Sequence, residues 1–250
     1  MVHVLALPGT PFAARSLAEI EDVAVREATL LAKVGFDAII IENMHDRPYV
    51  NAPHGPETVA AMTRVGLAIR RELPRMPLGV QVLSFGHLEA LAIAMAIDGA
   101  FIRVENFVFA HVADEGLLAD AAAGRLLRER ARLGATHVRL MCDIKKKHAS
   151  HALTADVPLK DAAKAAEFFG ADGLIVTGTH TGTPTDPDDL RAAKDGSGLP
   201  VWVGSGVTPD QVRPLLNHAD ALIVGSSIKK GGAWCNPIDA KRAEAIINAR

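Results

Sequence analysis

Short β-branched apolar runs alternate with longer stretches of helical period along the whole chain. The runs predict strands at 2–7, 38–42, 78–83, 101–105, 137–143, 173–177, 201–204 and 221–225. The stretches between them predict helices at 17–34, 57–73, 88–97, 117–133, 159–169, 187–194, 209–217 and 238–248. Repeated βα units of this kind build a parallel sheet. Eight units in 250 residues match, in count and size, an α/β protein of the (β/α)8 TIM-barrel type, expected here as a single domain over residues 1–250. A doubly wound open sheet is the alternative.

Punctuation along the chain agrees with this parsing. Ser16 with Glu19 forms a capping-box pattern, and Thr208-Pro209 places a hydroxyl before a proline at a first helical position. Gly35, Gly99, Gly134 and Gly170 fall in helix-to-strand connections, where a left-handed cap is usual.

A barrel strand sends alternate side chains to the axis and to the helices. In "FIRVE", Phe101, Arg103 and Glu105 are expected inside, with Ile102 and Val104 outside. In "HVRLMCD", the same rule puts His137, Arg139, Met141 and Asp143 inside and Val138, Leu140 and Cys142 outside; Ile39 and Ile41 face out, with Glu42 inside. The strand ends are then polar: Glu42-Asn43, Gln81, Arg103-Glu105-Asn106, Asp143 with Lys145, Lys147 and His148, and Thr177. Burying a carboxylate costs several kcal/mol unless it is paired. So many inward charges imply a ligand, or an internal salt-bridge layer joining Arg103, Arg139, Glu42 and Glu105.

Three late loops share one chemistry. Gly204-Ser205-Gly206 follows the seventh strand, Gly225-Ser226-Ser227 follows the eighth, and "TGTHTG", with Thr177, Gly178 and Gly182, follows the sixth. In phosphate-binding barrels these positions offer main-chain N–H groups to the anion, and glycine permits the close approach. A bound phosphate is therefore expected there. The stretches 42–56 and 105–116 are long for connections, as lids and binding segments are. They carry His45, Asp46, Tyr49, His54, His111 and Asp114, of which Asp46 is preferred as the carboxylate that follows the strand-end Glu42 most closely.

In "DIKKKHASH", Asp143 suits proton transfer at a strand end, with Lys147 or His148 reaching the substrate; a desolvated lysine could instead form a Schiff base. A divalent metal on Asp143, His148 and His151 is the minor alternative, since no HExxH or CxxC spacing supports it, and no cofactor is expected. Cys142 and Cys235 have no histidine partner in this reading and are expected to be inert.

Composition narrows the partners. A formal net charge of −2 gives no footprint for nucleic acid. Two cysteines make no disulfide framework, the opening residues lack the pattern of a secretory signal, and no apolar run is long enough to cross a bilayer. A cytoplasmic protein that takes a phosphorylated small molecule is expected, and a homo-oligomer with it, since barrels of this size often associate.

The stretches "ALPGTP", "IIIENMHDRPY", "AMTRV", "FIRVE", "DIKKKHA", "TGTHTG", "VGSGVTPDQV" and "ADALIVGSSIKKGGAWCNPIDAKR" together resemble the BtpA/SgcQ family over nearly the whole chain. The resemblance implies a TIM barrel of the ribulose-phosphate-binding class. It implies an acidic strand-end motif at Glu42, Asn43 and Asp46, and an Asp-x-x-x-Lys-His motif at Asp143, Lys147 and His148. Glycine loops at Gly178, Gly182, Gly204, Gly206 and Gly225, and a tail motif at Lys229, Gly232, Asn236 and Asp239, are implied likewise. His45 stands where the family more often has Gly, and Glu105 where it more often has Asn. The family carries the label of a photosystem I biogenesis factor, and other members accompany sugar-metabolism genes. Two functions are thus expected as rivals. One is an enzyme using strand-end carboxylates for isomerisation, aldol-type cleavage or glycosidic-bond hydrolysis of a phosphorylated sugar or nucleoside-like molecule. The other is a non-catalytic assembly factor on a barrel scaffold.

Overall fold

The structure, a computed structural model, describes residues 1–146, 148–178 and 185–250. Its main sheet holds eight parallel strands: β1 (Val2–His3), β2 (Ile39–Glu42), β3 (Leu78–Gln81), β4 (Phe101–Val104), β7 (Arg139–Asp143), β9 (Gly173–Val176), β10 (Val201–Val203) and β11 (Ala221–Leu222). They lie side by side in that order, and each matches a predicted strand. The sheet is curled. Among the described residues no ladder pairs β1 with β11; the two edges meet where the Met1 nitrogen donates to the Val224 carbonyl at 2.8 Å.

The helices are α1 (Leu17–Val34), α2 (Pro56–Glu72), α3 (His87–Ala96), α4 (Ala123–Arg132), α5 (Leu159–Phe168), α6 (Pro187–Gly196), α7 (Val212–Leu216) and α8 (Ala240–Asn248). Ser16 and Glu19 close the expected capping box on α1. Gly35, Gly134 and Gly170 take positive φ as expected, but between α3 and β4 the left-handed residue is Asp98. Gly99 serves there by close approach instead: an added Cβ would lie 3.0 Å from the Ala94 Cα.

One predicted helix is wrong at its start. Residues 111–118 form a hairpin, β5 (His111–Ala113) with β6 (Gly116–Leu118), to which β8 (Ala149–Ser150) adds a third strand. The helical period of 117–133 misled because Leu118 is buried opposite His111 in the hairpin, while Gly116 at φ 105 makes its turn. Asn106 then seats the chain for α4, its side-chain Nδ2 donating to the Asp120 carbonyl (3.0 Å) and its main-chain carbonyl accepting from the Ala122 amide (2.8 Å).

The alternation predicted for the main strands divides the interior into two cores. Ile39, Ile41, Ile102, Val104, Leu140 and Cys142 join the large cluster packed under the helices. Ile40, Phe101, Met141, Ile175 and Ile223 form a separate plug on the concave side, flanked by Met1 and Trp202. Trp202 meets Phe101 edge-on at 5.2 Å. Two glycines make room for the plug: a Cβ on Gly79 would lie 2.2 Å from the Phe101 ring, and one on Gly173 would lie 2.1 Å from Met141.

Because side chains repeat every two residues, the next inward position on each strand forms one polar layer above the plug. That layer is His3, Glu42, Gln81, Arg103, Asp143, Thr177, Gly204 and Gly225. Arg139 does not belong to it, contrary to the expected salt-bridge layer. It sits at the start of β7, and its side chain is 68% exposed beside Asp172. His137 is exposed too.

Candidate functional site

A cavity of about 630 Å³ opens over the polar layer. Its floor is Glu42, Gln81, Arg103, Glu105, Asp143 and Lys146; one wall is Gly204, Ser205, Gly206, Gly225, Ser226 and Ser227; His148 also lines it. Most of the predicted site residues are therefore brought together. Thr177 and Gly178 are buried beside it, Thr177 with its methyl 2.6 Å from where a Cβ on Gly204 would lie. Lys147 and Gly182 lie outside the described residues.

Asn43 and Asp46 stand behind the cavity. Asp46 accepts from the Leu7 amide (2.8 Å) and from Asn43 Nδ2 (2.9 Å), while Asn43 Oδ1 accepts from the Leu83 amide (2.7 Å). The two side chains tie the loops after β1, β2 and β3 into one rim. Burial raises the Asp46 pKa, and these donors oppose the rise.

Two buried ion pairs hold the floor. Arg103 reaches Asp143 in a two-pronged contact, Nε to Oδ2 and Nη2 to Oδ1, both 2.9 Å, with side chains only 6% and 1% exposed. Such a fork satisfies charge and geometry together. Burial opposes the charge on Arg103, but Asp143, Glu42 and Glu105 more than offset it and raise the pKa. Burial raises the Asp143 carboxyl, against the pull of Arg103. In the second pair Lys146 Nζ lies 3.0 Å from Glu105 Oε1, and Glu105 Oε2 accepts from the Phe85 amide at 2.9 Å. Burial alone would raise the Glu105 pKa, yet Lys146 and the Phe85 amide hold it low; Lys146 is in turn raised by Glu105 against its own burial.

Glu42 faces His3, whose Nε2 lies 3.8 Å from Glu42 Oε2 and whose Nδ1 is 2.8 Å from the Trp234 carbonyl. That carbonyl can only accept, so Nδ1 carries the proton. Burial, then Lys229, lowers the His3 pKa to about 3. His3 is therefore a neutral acceptor at Nε2, next to Gly225, where an added Cβ would lie 3.3 Å away.

The glycine wall offers donors and hydroxyls. The side-chain oxygens of Ser205 and Ser227 are buried without a hydrogen-bond partner. Among the described residues no acceptor takes the amides of Ser205, Gly206, Val207, Gly225, Ser226 or Ser227. Main-chain N–H groups with no acceptor inside the protein are available to a ligand in the cavity they line. Arg242 lines the same wall, its Nε donating to the Ser227 carbonyl at 2.7 Å. The sequence reading missed Arg242, Lys146, His3 and the Lys229–Glu27 pair (2.8 Å) packed behind the floor. Lys146 carried a signal as part of the basic run after β7, and Lys229 as part of the tail motif that the family resemblance implies, though not its pairing with Glu27.

Among the described residues no three His, Cys, Asp or Glu side chains are grouped as a cation's ligands, and no helix is long and apolar enough to cross a membrane. Cys142 is buried and its pKa is raised, first by that burial.

Comparison with known proteins agrees with this architecture. The chain is 42% identical to an uncharacterised mitochondrial protein of Caenorhabditis elegans, over 99% of this chain and 90% of that protein. It is 35% identical to the photosystem I biogenesis protein BtpA of Synechocystis, over 100% of this chain and 86% of that protein. Among solved structures it is similar to the geranylgeranylglyceryl phosphate synthase of Thermoplasma acidophilum in complex with sn-glycerol-1-phosphate. The TM-score there is 0.58 at 17% identity, covering 92% of this chain and 87% of that one. The solved structures it is similar to are TIM barrels. With the family model matching residues 1–250, the chain belongs to the BtpA family.

Proposed function

We propose that this chain is an enzyme acting on a phosphorylated small molecule. The phosphate is held by the loops after β10 and β11, and the reacting carbons lie over the polar floor. The observation that carries the reading is the wall of unpartnered amides with the buried Ser205 and Ser227 hydroxyls, flanked by Arg242. Main-chain N–H groups and a guanidinium are the donors that phosphate oxygens take. The solved complex with glycerol phosphate supports it at the level of the fold. Closure of the curled sheet into a full barrel belongs to the same reading, supported by the Met1–Val224 contact at 2.8 Å.

The floor suits acid/base chemistry. Glu42, beside neutral His3, is the carboxylate we assign to proton abstraction. Asp143 spends both oxygens on Arg103, so it shapes and charges the floor and fixes the guanidinium that meets the substrate. Lys146 stays protonated against Glu105, which makes it a proton donor and a poor Schiff-base nucleophile, since that chemistry needs the free amine. His148 completes the set at the rim. Isomerisation, aldol-type cleavage and glycosidic-bond hydrolysis all fit these groups, and the reading invokes no cofactor.

Thermal shift against sugar phosphates and nucleotides tests the proposal. A ligand at 100 times its Kd stabilises by about 2.7 kcal/mol. Ser226→Asp, which sets a carboxylate in the wall, should remove the shift while the unliganded protein melts as before. A shift that survives the substitution would refute the placement. The second reading, an assembly factor, draws on the name of the Synechocystis relative. It gains if no phosphorylated compound moves the midpoint.

A further inference from the structure

The cavity is larger than a small sugar phosphate requires, and one side of it is not built for hydroxyls. At about 630 Å³ it lies within the range of about 300–1,000 Å³ that encloses drug-sized ligands. Beyond the glycine wall and the charged floor, its lining includes Met44, Arg47, Tyr49, Leu83 and Trp234, from the loops after β2, β3 and β11, with Asp114 and Glu115 of the β5–β6 turn also at its edge. Trp234, Tyr49, Met44 and Leu83 are all half-buried. A polyol phosphate would fill the floor and leave these groups without a match.

Their arrangement is that of a stacking wall. The Arg47 guanidinium carbon lies 5.0 Å from the Trp234 ring centre, and 5.3 Å from that of Phe12. His45 packs on Trp234 at 5.0 Å between ring centres. The Tyr49 hydroxyl donates to the Met44 carbonyl at 2.7 Å, which anchors its ring, and His3 holds the main-chain carbonyl of Trp234 and so the backbone that carries the indole. Indole, phenol and guanidinium planes are the groups on which flat heteroaromatic rings stack.

We infer that the substrate is a phosphate ester carrying a planar heteroaromatic ring, of the size and chemistry of a ribonucleoside 5′-monophosphate, with the ring against Trp234, Arg47 and Tyr49. The inference rests on the phosphate reading above and names the class of molecule within it. The ribose then spans the charged floor, where Gln81 offers a buried oxygen with no hydrogen-bond partner to a sugar hydroxyl.

Calorimetric titration of the full chain with ribose 5-phosphate and with the common ribonucleoside 5′-monophosphates tests this. Stacking of one base on an aromatic side chain corresponds to a gain of about 5- to 150-fold in affinity. At least one nucleotide should exceed ribose 5-phosphate by that factor. Trp234→Ala should erase the advantage and leave ribose 5-phosphate binding in place, and Trp234→Phe should keep most of it. The chain has two tryptophans, so Trp202→Phe leaves Trp234 as the sole indole emitter. Its emission should be quenched by the nucleotide and not by ribose 5-phosphate. Equal affinity for ribose 5-phosphate and every nucleotide, or a Trp234→Ala loss shared equally by both, overturns the inference and leaves phosphate binding standing. Binding of no phosphate ester refutes the phosphate reading as well.

Discussion

Replacing Arg103 with Met strips the floor of the group that balances Asp143. The magnitude follows from the burial of both side chains, 6% and 1% exposed, and from two hydrogen bonds of 2.9 Å that would be lost together. Removing one partner of a buried pair typically costs about 3–5 kcal/mol, because the other charge is left without compensation. Glu105, close enough to raise the Asp143 pKa further, worsens the imbalance, and Lys146 relieves part of it. For a chain of this length each kcal/mol moves the melting midpoint by about 2–4 °C, so a fall of about 6–20 °C is expected. Urea denaturation at pH 7 provides the free energy. Repeating it at pH 5 adds a second check, since an Asp143 without its guanidinium takes up a proton more readily and recovers part of the loss. The double substitution Arg103→Met with Asp143→Leu should cost much less than the two single losses added together, because no buried charge remains. A single-variant loss below about 1 kcal/mol, or a double variant showing simple additivity, would refute the claim that the pair is buried and mutually dependent.

Three further outcomes are expected. Lys229→Met should destabilise by about 3–5 kcal/mol, because Glu27, whose two oxygens take Lys229 and the Ile238 amide, loses its cation in the interior; urea melts of Lys229→Met with and without Glu27→Leu measure this. Acid should weaken the fold through His3 and His111, whose pKa values burial lowers to about 3 and about 4. Unfolding lets each bind a proton below its ordinary value of 6.5, so stability is complete above that pH and falls as pH drops towards the folded values, by about 2 kcal/mol per histidine at pH 5. His3→Gln should flatten that slope in melts from pH 7 to 5. Finally, Gly204→Val should abolish phosphate-ester binding in calorimetry, since even the first added carbon would lie 2.6 Å from Ile175 and Thr177 and 3.3 Å from Arg103.

Much of this arrangement is legible in the chain itself. Period-two alternation in "FIRVE" and in Met141–Asp143 placed Arg103, Glu105 and Asp143 inside, because a strand walled on both faces has no other way to divide its side chains. The same rule failed for Arg139, since alternation gives a direction but not a height: at the start of β7 the inward face already opens to solvent. The late glycine loops were readable because they follow strands whose order along the sheet equals their order in sequence. Lys146 could not be told from its lysine neighbours, for a loop has no period to single one out. Asn43 and Asp46 carry their polar groups away from the cavity because the backbone amides of Leu7 and Leu83 need acceptors, a demand visible only when distant strands are brought side by side. Arg242 and Trp234 come from the last part of the chain, which folds back over β1 and β2, and no local pattern announces that return. The hairpin at 111–118 shows the converse, a helical period overruled by tertiary pairing.

A crystal grown with a phosphate ester tests the central claim most directly. The account predicts phosphate oxygens about 2.7–3.2 Å from the amide nitrogens of the Ser205–Val207 and Ser226–Ser227 turns, with the Arg242 guanidinium alongside. The same crystal with the phosphate bound elsewhere, and those amides facing water or turned into the protein, would contradict it.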